Sequence, residues 1–176
     1  NVVVMLGTQI SIPKEYEDLK YVRVPARSKV KSCFGFLNGS LSRMTDALLS
    51  YLRKHRDEYD ICIINGSLTG GKTVKKIEKM GIRTMVIFHN YEVEYHRDNR
   101  TIISLKGHFL GAIKRAEKLS YMNSSVGIFL TQNDVDLFAE VYGESEAKKV
   151  IVGTFDYKNK AKDSAGGVEK KYSIVI

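Results

Sequence analysis

The chain has 176 residues, of which 43% are apolar, 27% charged and 10% aromatic, a composition that supplies one domain with a sizeable core and excludes disorder and collagen-like repeats. No apolar run reaches the roughly eighteen residues that a membrane-crossing helix needs, and the two cysteines, Cys33 and Cys62, make neither a disulfide framework nor a zinc site. An excess of 28 Lys and Arg over 20 Asp and Glu gives a net charge of +8, which favours contact with an anion such as a lipid headgroup, a nucleic acid or a phosphorylated small molecule.

Taken in chain order, apolar runs of strand length alternate with segments of helical period. Residues 2–6 and 19–24 are the first two strand candidates, rich in β-branched residues. Leu41, Met44, Leu48, Tyr51, Leu52 and His55 then recur at helical spacing, with Arg43, Lys54 and Arg56 on the wet side. A third strand is expected over 60–64 and includes Cys62, which should behave there as a small hydrophobe. The next helix is expected over 73–80, with Val74 and Ile77 inward and Gly81 ending it in a left-handed turn. A strand over 82–88 and a helix over 105–122 follow, the latter with Leu105, Phe109, Ile113, Ala116 and Leu119 as its inward stripe. After a strand over 126–131, Asn133 is the expected N-cap of a helix that closes at Gly143, and residues 150–153 form the last strand of the pattern.

This alternation predicts an α/β domain on a parallel sheet with helices on both faces, because the strands are continuously apolar rather than alternating. Residues 1–156 form that domain, 157–171 are polar and aperiodic and read as a linker, and the apolar run 172–176 reads as the start of a second domain cut short. Asn1 in place of an initiating Met likewise reads as a fragment, and the opening residues lack the pattern of a secretory leader.

Ligands of parallel α/β sheets collect outside the carboxyl ends of the strands. Three polar turns fall there: 65–73, 89–96 and 131–134. In the first, Gly66, Gly71, Lys72 and Thr73 satisfy the spacing of a phosphate-binding loop, whose backbone amides wrap a phosphate chain while the lysine reaches its end. Such an enzyme also needs an apolar strand ending in Asp to hold magnesium, and the strands here run into His89 and Thr131 instead. The turn therefore reads first as a strand-to-helix connection. A P-loop NTPase or phosphotransferase using Gly66 to Thr73 stands as an alternative, beside a non-catalytic ligand-binding module.

The second turn carries sharper chemistry. His89 follows a buried strand directly, so a rigid element aims it at the cleft. An imidazole both donates and accepts near neutral pH, Asn90 adds amide donors and an acceptor, and Glu92 and Glu94 supply carboxylate acceptors suited to hydroxyl-rich ligands.

Several of these stretches, in their order, resemble the N-terminal, acceptor-side half of GT-B glycosyltransferases, in the retaining group that builds capsular and other surface polysaccharides. Met85-Val-Ile-Phe-His-Asn-Tyr-Glu92 is similar to that family's strand followed by His-Asn-x-Glu. Ile128-Phe-Leu-Thr-Gln-Asn-Asp-Val-Asp136 with Val141-Tyr-Gly143 is similar to its next strand and helix, and Lys149-Val-Ile-Val-Gly-Thr-Phe-Asp156 to the stretch before its interdomain linker. The likeness spans about residues 60–176, and the runs at 2–6 and 19–24 correspond to the family's second and third strands, so its first strand has no counterpart.

The resemblance implies a Rossmann-like domain, one half of a GT-B fold, in an enzyme that moves a sugar from a nucleotide-sugar donor to a glycan or lipid-linked glycan. His89 would be its catalytic residue, and Asn90, Glu92, Gly66, Ser67 and Thr131 would bind substrate. It implies no metal and no cofactor, with the nucleotide sugar held mainly by a C-terminal domain missing from this chain, so that the fragment is inactive alone. The protein would be cytoplasmic, peripheral on the inner face of the membrane. Five cations between Lys20 and Lys31 (Lys20, Arg23, Arg27, Lys29 and Lys31), with Lys106, Lys114, Arg115 and Lys118 further on, offer a surface for anionic lipid, where each cation is worth about 1 kcal/mol. No nucleic acid is expected, because the cations are spread over separate elements.

Overall fold

A computed structural model describes residues 3–7, 11–12, 14, 17–26, 28, 31–32, 34–35, 39–98 and 106–153. The expected linker 157–171, the apolar run 172–176, Cys33, Leu105 and the cations Arg27 and Lys29 lie outside the described residues.

Among the described residues six strands form, all paired in parallel. β1 (Val3–Gly7) and β2 (Lys20–Val24) make a two-stranded sheet in which Val3 faces Lys20 and Gly7 faces Val24. β3 (Ile61–Asn65), β4 (Arg83–Phe88), β5 (Val126–Phe129) and β6 (Lys148–Ile151) make a four-stranded sheet in that order. The chain is thus an α/β protein whose parallel sheet is flanked by helices, as in a Rossmann-like fold. The helices are α1 (Thr45–Lys54), α2 (Ser67–Gly70), α3 (Lys72–Glu78), α4 (Glu92–Asp98), α5 (Lys106–Asn123) and α6 (Gln132–Tyr142).

α3, α5 and α6 share one buried cluster with the strands of the four-stranded sheet, so they pack on the same face of it. The core sits between them. Leu49 and Leu52 of α1, Val74 and Ile77 of α3, Tyr121 of α5 and Phe138 of α6 close over Ile64, Val86, Phe88 and Phe129. Phe88 and Phe129 stack with ring centroids 4.8 Å apart, and Phe138 meets Phe88 edge-on at 5.0 Å. Gly127 makes room for this stack, since a Cβ there would sit 2.8 Å from the Phe129 ring. At the amino ends of the strands, Glu78 Oε1 accepts from the amide and hydroxyl of Ser125 (3.0 and 2.7 Å) and from the Thr84 amide (2.7 Å), tying β4 and β5 to the end of α3.

An apolar run does not mean even burial. Along β3, Ile64 is 4% exposed while Ile61 and Ile63 are 44% and 41% exposed, so the alternation of the strand separates a packed face from a more open one. Three local boundaries also differ from expectation. α6 is capped by Thr131 rather than Asn133, because Thr131 and Asp134 exchange hydrogen bonds in a capping box, and this stops β5 at Phe129. Most of the expected polar turn 89–96 is helical, since α4 starts at Glu92, with Glu92 and Glu94 in the first turn where acids are favoured. Residues 67–70 form a single helical turn before α3. Gly81 and Gly143 do end their helices with positive φ, at 82° and 87°.

Candidate functional site

The carboxyl ends of β3, β4 and β5 share one edge of the sheet, and the polar turns lie there. Asn65 is the last residue of β3 and its register partner is Ile87, so its side chain stands beside the residue that follows β4, His89. Asn65 Oδ1 lies 2.5 Å from His89 Nε2. An amide oxygen only accepts, so Nε2 is the donor of this bond, which leaves Nδ1 facing away from Asn65. Both side chains are exposed, as is Asn90.

Glu92 opens α4 close enough to His89 for the imidazole to act on its carboxyl. Burial pushes that carboxyl above its ordinary range, and His96 and then His89 pull it back down. His96, one turn along α4, places Nε2 3.4 Å from Glu92 Oε2 and meets the Phe109 ring edge-on at 5.8 Å. Asn65, His89, Glu92 and His96 therefore form one cluster that can donate to and accept from a polyhydroxylated or phosphorylated ligand.

Behind this cluster lies Glu117, fully buried on α5. Its Oε1 accepts from the Ser67 hydroxyl at 3.2 Å and the Glu92 amide at 3.0 Å, and its Oε2 accepts from the Tyr142 hydroxyl at 2.8 Å. Desolvation pushes the carboxyl up to about 7, against the lowering effect of those three donors. One side chain thus holds the starts of α2 and α4 and the end of α6.

The other expected site residues are placed differently. Ser67 is buried, with its hydroxyl committed to Glu117. The Thr131 hydroxyl donates to Asp134 Oδ2 at 2.7 Å and accepts from the Asp134 amide at 3.1 Å, which makes it a cap. Gly66 adopts φ 89°, where glycine is favoured, and its amide donates to Ile87 O at 3.1 Å.

The phosphate-loop spacing has a packing explanation. The Gly71 amide donates to Ser120 Oγ at 2.6 Å, the Lys72 amide to Gly39 O at 3.1 Å and the Thr69 amide to Gly66 O at 3.2 Å, so these N–H groups are occupied by protein. The Thr73 hydroxyl is buried and donates to Thr45 Oγ1 at 3.3 Å rather than facing a metal. A Cβ on Gly70 would meet Ser120 Oγ at 2.5 Å, and one on Gly71, at φ 48°, would run into Gly39 O. The glycines let α2 and α3 press against α5.

Asn65, His96 and Glu117 were not among the expected site residues. His96 sits four residues after Glu92, a signal legible only once the segment is known to be helical, and Glu117 stands between Ala116 and Leu119 in the apolar stripe of α5. Cys62 is half-buried, and burial pushes its thiol up to about 11. Among the described residues no group of three or more His, Cys, Asp or Glu is arranged to hold a metal ion, and no helix is long and apolar enough to cross a membrane. No protein-family model matches the chain, and no curated protein matches it.

Proposed function

We propose that the chain is the acceptor-side domain of a GT-B glycosyltransferase that moves a sugar from a nucleoside diphosphate donor to a hydroxyl of a glycan or lipid-linked glycan. The observation that carries this reading is the cluster of Asn65, His89, Glu92 and His96 at the carboxyl edge of a parallel sheet, where ligands of this architecture bind. The order of motifs around His89 and Asn90 adds its own support.

In the reaction, the bond from the anomeric carbon to the diphosphate breaks and a bond to the acceptor oxygen forms, with the acceptor proton leaving to a phosphate oxygen. His89 hydrogen-bonds the transferring sugar or the donor phosphate, and Asn65 holds its ring in one tautomer. Asn90 and Glu92 shape the acceptor side. The donor is bound chiefly by a second domain, so this chain contributes orientation and half of a closed cleft. Neither metal nor cofactor is part of the proposal. Exposed cations at Lys20, Arg23 and Lys31 and, on α5, Lys114, Arg115 and Lys118 support contact with an anionic membrane face from the cytoplasm, where lipid-linked acceptors are presented.

The test is to supply a panel of nucleotide sugars and membrane extract to the complete two-domain protein and measure released nucleoside diphosphate. His89→Ala should cut release about a hundredfold with the fold intact, a loss typical of a positioned polar group at a reacting centre. Release that is absent with every sugar, or unchanged in His89→Ala, overturns the reading.

A further inference from the structure

A cleft of about 500 Å3 opens between the connection that leaves β2 and the first turns of α1 and α3. The chain passes there from β2 through α1 to β3, with β1 and β2 in one sheet and β3 to β6 in another. α3, which forms one wall, starts from the carboxyl end of β3.

The walls are fixed to each other. The Lys72 amide donates to Gly39 O at 3.1 Å, and the Thr73 hydroxyl donates to Thr45 Oγ1 at 3.3 Å. Thr45 gives its own proton to Ser42 O at 3.0 Å, so in the 3.0 Å contact between Ser40 and Thr45 the donor is Ser40. These hydroxyls make a buried, internally bonded floor.

Charge is concentrated above that floor. Lys31, Lys72 and Lys76 line the cleft, against Asp46 as the single carboxylate among its described lining residues. Lys72 and Lys76 stand four residues apart on α3, a like-charge pair that costs a helix a few tenths of a kcal/mol and that a bound anion would relieve. Phe34, 66% exposed, gives the rim an aromatic face. The volume falls within the range of small-molecule sites.

We propose that this cleft binds a small molecule through a phosphate or diphosphate group, with the lysine ammoniums as point charges rather than backbone amides as the anion-recognising groups. The Gly71 and Lys72 amides are already bonded to protein, so the mode differs from that of a phosphate loop. None of the lining residues belongs to the His89 cluster, and the proposal stands apart from the sugar-transfer reading.

The experiment is calorimetric titration of the full chain with inorganic pyrophosphate at low salt. Saturable binding to one site is expected, and Lys72→Ala and Lys76→Ala should each weaken it about tenfold, as loss of one charge-assisted hydrogen bond does. Lys54→Ala, at the far end of α1, should leave it unchanged. Circular dichroism melts check that the variants fold, and Lys72→Met replaces Lys72→Ala if the alanine variant does not. Absence of saturable binding, or equal weakening by Lys54→Ala, overturns the proposal. Since sugar transfer is read through His89→Ala and this site through Lys72 and Lys76, either can fail without the other.

Discussion

The Tyr142 hydroxyl donates to Glu117 Oε2 across 2.8 Å, at the edge of the aromatic core formed by Phe88, Tyr121, Phe129 and Phe138. The phenol's own proton is held more tightly than in water, through burial and the adjacent carboxylate. Glu117 is raised from 4.5 to about 7. A carboxyl whose pKa is higher folded than unfolded takes up a proton on folding, so its contribution is fully present below about 4.5 and is lost as pH rises to about 7. That shift corresponds to about 3 kcal/mol.

Urea melts between pH 4.5 and 8 should therefore show stability falling with pH from this group, and Glu117→Gln should flatten most of the slope. A small residual slope of the same sign is expected from Glu92, whose carboxyl is also raised by burial. At pH 8 the Gln variant should match or exceed the parent, because the cost of ionising a buried carboxyl is gone while Oε1 can still accept from Ser67 and Glu92. Identical pH profiles for parent and variant would show that Glu117 is not the titrating group.

Asn65 acts on His89 from the neighbouring strand, and removing it should change chemistry more than stability. Both side chains are exposed, so Asn65→Ala should cost under ~1 kcal/mol in a melt. Nitrogen NMR of the imidazole should find the proton on Nε2 in the parent and a mixture of tautomers in the variant. In the complete enzyme the same change should lower kcat about tenfold with little change in KM, as loss of an orienting group does. A parent ring protonated mainly on Nδ1 would count against the arrangement.

The periodicity of the sequence carries the elements that packing depends on. Apolar runs mark the six described strands, although β6 begins two residues before its run, and Gly81 and Gly143 mark helix ends because few other residues adopt their positive φ. What a linear reading misses is which polar groups are already spent. Ser67 and Thr131 look available at strand ends, yet one serves a carboxyl 50 positions away and the other caps its own helix. Glu117 is hidden for the same reason, since its partners Glu92 and Tyr142 are each 25 residues distant and the helix around it is apolar. His89 and Asn90 were legible because their place, directly after a buried strand, is set by local pattern alone.

Gly71 and Lys72 separate the packing role of their turn from any ligand role. Gly71→Ala places a Cβ against Gly39 O in a left-handed backbone, and neither the carbonyl nor φ can yield cheaply. A loss of about 3 kcal/mol or more is expected, enough to unfold a marginal domain. Lys72→Ala exchanges an exposed side chain on a short helix and should change stability by less than ~0.5 kcal/mol. Comparable losses in the two variants would mean that the lysine side chain, and not the glycine backbone, holds the turn.

Ile63 and Ile64 are neighbours on β3 with the same side chain and opposite surroundings. Ile64 packs in the core at 4% exposure, whereas Ile63 points to the other face at 41%. Truncating Ile64 to Ala should leave a cavity among Leu49, Ile77 and Val86 and cost 2–5 kcal/mol by the usual scale for buried aliphatics. At Ile63 the same truncation removes a side chain that water already reaches, so about 1 kcal/mol is expected from the lost partial burial and the lower strand propensity of Ala. The comparison cancels backbone and strand-pairing effects, because both residues sit in the middle of one ladder, opposite Met85 and Val86. Chemical denaturation of the two single variants reads the difference directly, and equal losses would mean that the second face of this sheet is as tightly covered as the first.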